Sequence, residues 1–137
     1  MNFVLVLSAF VFSALNGCKQ NPVDAKPENR SPVILSLTVF PDVVKPSDSL
    51  IVVCNATDPD GDTLVYDWYT SGIVRIKGLR DWDCCAIFNT HENSQIFFAP
   101  DSVHISGPQD TLWVQCAARD RKGGMDVKLI HFIVEQN

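Results

Sequence analysis

From Pro32 onward, apolar and polar side chains alternate with a period of two, the pattern of strands that bury one face. Pro32–Phe40 (PVILSLTVF) is β-branched and aliphatic between two prolines. Ser49–Thr57 (SLIVVCNAT) sets Leu50, Val52, Cys54 and Ala56 on one face. Thr63–Thr70 (TLVYDWYT) groups Leu64, Tyr66 and Trp68 opposite Val65, Asp67 and Tyr69. Asp110–Ala118 (DTLWVQCAA) aligns Leu112, Val114, Cys116 and Ala118, and Val127–Val134 (VKLIHFIV) is a hydrophobic closing strand. Turn signals at Pro46-Ser47-Asp48, Asp60-Gly61 and Gly123-Gly124 separate the runs, and nowhere do helical period and capping coincide over about ten residues. The pattern predicts an all-β antiparallel sandwich of about seven strands.

The N-terminus follows a different rule. Phe3 to Leu15 is an unbroken apolar or small run of 13 residues. A bilayer anchor needs about 18–20, so the run has the length of a signal-peptide core. It ends at Leu15-Asn16-Gly17-Cys18, which resembles the lipobox of bacterial lipoproteins. The resemblance implies cleavage before Cys18, diacylation of its thiol, and acylation of the new amine. Met1-Asn2 carries no Lys or Arg, a departure from the usual signal, and a plain secretory signal or a buried strand remain the alternatives. Lys19 to Arg30 (KQNPVDAKPENR) is polar, holds two prolines and has no hydrophobic period, so it reads as a flexible tether. The expected organisation is residues 1–17 as lipoprotein signal, 18–30 as tether and 31–137 as the folded domain. Lys19 stands where inner-membrane lipoproteins resembling enterobacterial ones carry Asp, which implies the outer membrane; the alternative location is secreted.

Composition bounds the rest. At 137 residues and 15.2 kDa the chain fits one domain, and 46% hydrophobic with 20% charged residues is a folding composition. A net charge of −5 and a pI near 4.9 leave no basic surplus for replacing phosphate counterions, which argues against nucleic acid as a partner.

Cys54, Trp68 and Cys116 occupy the inward phase of three strands, in the order that resembles immunoglobulin domains, where two cysteines bridge the sheets across a core Trp. The resemblance implies a Cys54–Cys116 disulfide. Val114 stands at the tyrosine-corner position, which separates the chain from antibody-type domains. More of the chain resembles the bacterial PKD-type and cadherin-like Ig-sandwich repeats. Asn55-Ala56-Thr57-Asp58-Pro59-Asp60-Gly61-Asp62 with Leu64, Tyr66 and Trp68 is similar to their "A-x-D-P-D-G-D-x-L-x-Y-x-W" mark. Ile96 to Pro100 matches an aromatic strand closed by Ala-Pro, and Trp113 to Asp120 with Gly123-Gly124 matches their last hairpin. Arg80 to Asn93 departs from these repeats, which usually have a short connection there. Such domains are generally spacers or adhesion and ligand-binding modules.

Three features carry candidate chemistry. Asp58, Asp60 and Asp62, with Asp120 if the strands pair as the resemblance implies, could supply oxygens to Ca²⁺. The alternative is turn chemistry, with Asp side chains capping backbone N–H groups. Cys84-Cys85 could form a structural disulfide, pair with Cys54 or Cys116, stay unpaired, or join His91 in a metal or redox site, though the spacing fits no zinc motif. The Arg80–Asn93 connection, holding Trp82, Asp83 and His91, is the candidate binding loop; Trp82 and Ile87-Phe88 capping a sheet edge is the alternative. Trp113 faces away from the core and either lies under this connection or stacks on sugar rings. No nucleophile elbow, zincin helix or phosphate loop occurs, so no catalytic residue is assigned. The reading is a membrane-anchored, non-enzymatic Ig-like module for extracytoplasmic binding or spacing, with a protein or carbohydrate ligand. A small metal-handling or redox lipoprotein using Cys84, Cys85 and His91, or a secreted adhesion domain, is the alternative.

Overall fold

The computed structural model describes residues 26–79 and 85–136; Cys18, Trp82, Asp83 and Cys84 lie outside them. The described chain forms β1 (Val33–Phe40), β2 (Val43–Val44), β3 (Ser49–Thr57), β4 (Val65–Thr70), β5 (Arg75–Ile76), β6 (Ala86–Thr90), β7 (Ser94–Phe98), β8 (Gln109–Arg119) and β9 (Met125–Glu135), with one 3₁₀ turn at Ser102–His104. These strands build two sheets, ordered β1-β3-β7-β5 and β2-β9-β8-β4-β6. All pairings are antiparallel except β2 with β9. Among the described residues no helix is long and apolar enough to cross a membrane.

The period-two pattern places the core where the side chains demand it. Leu50, Val52 and Cys54 of β3 face Tyr66 and Trp68 of β4 and Leu112, Val114, Cys116 and Ala118 of β8, and all are buried. Trp68 is fully buried and meets Phe97 of β7 edge-on at 6.0 Å, so the two rings join the sheets directly. Such an edge-to-face pair adds about 0.5–1.5 kcal/mol beyond the area it buries. Trp68 also lies beside Tyr66 at 6.5 Å, and burial raises the Tyr66 hydroxyl above its ordinary pKa.

Two expectations need correction. Residues 80–93 are not all connection, because Ala86–Thr90 is β6, paired with β4 at the edge of its sheet. The register shifts between Tyr66 and Trp68, and Asn89 adopts φ +58°, the left-handed conformation that Asn tolerates better than most residues. This bulge breaks the alternation and hides the strand from periodicity. It also turns Phe88 onto Tyr69, edge-on at 5.4 Å. The second correction concerns Cys54 and Cys116, which are separate thiols and not the expected bridge. Both sit in the inward phase as expected and are fully buried, with their side chains hydrogen-bonded and not covalently joined. That hydrogen bond, then burial, pushes the Cys116 thiol far above the usual range.

Candidate functional site

One end of the sandwich gathers the acidic turn, the β8–β9 hairpin and the segment entering β1. Asp58 organises the turn between β3 and β4. Its Oδ1 accepts the N–H groups of Asp60 at 2.8 Å and Asp62 at 3.2 Å, while its carbonyl accepts the Gly61 N–H at 3.1 Å. Gly61 takes φ +74°, which Gly adopts without steric cost. The turn reading of Asp-Pro-Asp-Gly is what this geometry performs.

Asp60 then clamps the incoming chain. It accepts the Arg30 backbone N–H and the Arg30 Nε, each at 2.7 Å, and Arg30 Nη2 donates to the Pro59 carbonyl. These bonds from Arg30 hold the Asp60 carboxyl below the usual carboxylate range. Asp62 pairs with Lys122 Nζ, which raises the Lys122 ammonium above its ordinary value. Asp120 is only 3% exposed. It accepts Asn29 Nδ2 at 2.6 Å and the N–H groups of Lys122 and Gly124 at 2.7 and 2.9 Å. The bond from Asn29 leads the causes that lower its pKa, with the hairpin N–H groups adding to it. Residues 29 and 30, read from sequence as tether, are therefore fastened to the domain.

The carboxylates of Asp58, Asp60 and Asp62 lie within 4.8 Å of one another, the only such group of potential metal ligands among the described residues. Asp58 Oδ2 and Asp62 Oδ2 are buried without a donor. Ca²⁺ takes six to eight oxygens, whereas here two of the three carboxylates are already matched by Arg30 and Lys122. Asp120, expected beside them, is outside the group and is occupied by Asn29 and the hairpin. A cleft of about 790 Å³ lies between Lys26, Pro27, Arg30, Pro59, Asp60 and Lys122, where the entering segment crosses the turn.

The other candidate residues do not converge. His91 lies past β6 at the acidic-turn end, with its Nε2 3.3 Å from Arg121 Nη2. Cys85 lies at the opposite end of β6, where its carbonyl accepts the Thr70 N–H and its thiol faces the Gly72 carbonyl at 3.8 Å. A five-residue strand between them spans roughly 17 Å, too far for one metal ion. His104 is on the 3₁₀ turn and His131 is exposed on β9, so the three histidines are dispersed. Trp113 is half-buried on the outer face of its sheet beside His131 in register, and its carbonyl accepts the Ser71 N–H at 3.1 Å.

Sequence reasoning missed one buried polar network on that outer face. Asp67, 5% exposed, pairs with Arg119 at 2.8 Å and accepts the Asn89 N–H at 2.8 Å, while Arg119 Nη2 reaches Asn89 Oδ1 at 2.9 Å. The signal available in the sequence was an Asp at mid-strand with no visible partner. The network fastens the β6 bulge to the sheet.

No protein-family profile and no curated protein matches the chain. A solved structure that resembles it is a nucleoside hydrolase-related hypothetical protein from Saccharophagus degradans, described as associated with carbohydrate metabolism. Identity is 19%, the TM-score is 0.49, and the match covers 78% of this chain. The chain spans 26% of that protein's length.

Proposed function

We propose that the chain is a lipid-anchored, non-enzymatic Ig-like module of the PKD or cadherin type, working outside the cytoplasm in binding or spacing. One observation carries the reading: the polar residues gathered at the acidic-turn end are engaged with one another and with backbone, fastening the N-terminal segment to the fold. A carboxylate serving as general acid or base needs reach to a substrate proton, whereas Asp60 and Asp120 already accept hydrogen bonds from Arg30, Asn29 and hairpin N–H groups. The strand orders of the two sheets and the inward Cys54, Trp68 and Cys116 support the Ig-like type. The Leu15-Asn16-Gly17-Cys18 motif supports the anchor, and two or three acyl chains at about 0.8 kcal/mol per buried CH₂ hold a protein on a membrane durably.

Fractionating cells that express the full chain tests the proposal. Cys18→Ser should move the protein to the soluble fraction or leave an unprocessed precursor. Unchanged membrane partition with unchanged mass refutes the anchor.

A further inference from the structure

We infer that the anchored domain stands with its acidic-turn end toward the bilayer and its opposite end, around Ile73 and Val103, toward the outside. The inference rests on the anchoring proposed above and adds the direction in which the domain is presented. Its basis is the clamp. Arg30 binds Asp60 through both backbone and side chain, and Asn29 binds Asp120, so the chain leaves the fold at Asn29 beside the turn.

Reach decides what the remaining chain can do. About ten residues separate Cys18 from Glu28. At 3.3–3.6 Å per residue they span at most about 35 Å. The eleven-residue strands β8 and β9 give the sandwich a similar length, at about 3.3 Å per residue. Bringing the far end to the bilayer would require the whole linker to run taut along the flank. Keeping the acidic turn near the headgroups requires no extension at all. Release of the clamp would lengthen the linker by only a few residues, so the clamp sharpens an orientation that chain reach already favours.

At the far end, Val103 is 83% exposed and Phe40 76%, the two largest exposures among the large apolar side chains of the described residues. Both are thereby directed away from the membrane. At the near end the Asp60–Arg30 and Asp62–Lys122 pairs face the headgroups.

Depth-dependent quenching tests the orientation and leaves every cysteine in place. An azide-bearing amino acid is introduced at Thr63 in one variant and at Val103 in another, and each is coupled to the same fluorophore. Both positions are exposed. The lipid-modified protein is reconstituted in phosphatidylcholine vesicles containing a headgroup spin-labelled lipid. Quenching at position 63 should exceed that at position 103 by severalfold, and Asn29→Ala with Arg30→Ala should narrow the gap. Equal quenching, or stronger quenching at 103, overturns the orientation. Should the purified protein carry no lipid, anchoring has failed independently. The orientation is then read on the chain from Cys18 onward, coupled at its N-terminal amine to an aldehyde-bearing lipid, with the same two outcomes deciding it.

Discussion

Replacing Gly124 with Ala should destabilise the domain, although the same change elsewhere often stabilises. Gly124 immediately precedes β9, and its N–H donates to Asp120 at 2.9 Å. A Cβ built there would lie 2.8 Å from the Ser31 Cα and 3.0 Å from the Asp120 Cγ, with Asp120 Oδ2 closer still. Real Cβ atoms essentially never approach below 3.0 Å. Neither neighbour can yield freely, because the Ser31 Cα is backbone two residues before β1 and Asp120 is held by Asn29 and the hairpin. Overpacking a tight site costs about 1–3 kcal/mol. The entropy gained from the unfolded chain offsets only about 0.4–1 kcal/mol. The net loss is then about 1–2 kcal/mol, which for a domain near 100 residues lowers Tm by roughly 4–12 °C. Gly61→Ala is the contrast, since no atom lies within 4 Å of its Cβ and the cost is that of φ +74° alone, about 1–2 kcal/mol. Thermal and urea melts should show both losses, but only Gly124→Ala should speed exchange of the Arg30 N–H. A Gly124→Ala protein as stable as wild type would refute the packing argument.

Other outcomes follow from the same geometry. Asp67→Ala leaves Arg119 and the Asn89 N–H without their carboxylate, and should cost about 2–3 kcal/mol in a urea melt; additive losses in a double-mutant cycle with Arg119→Ala would disprove the network. The depressed pKa values of Asp60 and Asp120 mean that their contribution is complete above the unfolded carboxylate value and is lost as pH falls through the lower folded value. The Arg30 N–H should therefore stay protected from exchange at pH 5 and lose protection only as pH falls below the ordinary Asp value of about 3.9; protection that is already lost at pH 5 would contradict the clamp. Cys54 and Cys116 should resist alkylation in the native protein and react fully in denaturant without reductant, whereas a recovered Cys54–Cys116 cross-linked peptide would contradict separate thiols.

Most of the fold was legible because strands with one buried face leave period two in the chain, as in β3 and β8. The exceptions have physical causes. β2 and β5 are two residues each, too short to show a period, and depend on Ile133, Val134, Phe97 and Phe98 from distant strands. β6 was obscured by its Asn89 bulge, with Phe88 and Asn89 both exposed. The site was legible only in part. Asp58, Asp60 and Asp62 announced a turn through Pro59 and Gly61. Nothing in local sequence links Arg30 to Asp60 or Asn29 to Asp120, because the pairs are 30 and 91 residues apart. Phase identified the Cys54 and Cys116 environments, but phase sets which face a thiol takes, not whether two sulfurs reach bonding distance.

The central claim, that Cys18 is the lipid-bearing start of the exported protein, is read most directly from the N-terminal peptide of protein recovered from expressing cells. Mass spectrometry should find that peptide beginning at Cys18 and heavier than its sequence by two or three acyl chains. A soluble protein with an unmodified Cys18, whether cut elsewhere or still beginning at Met1, would contradict the account.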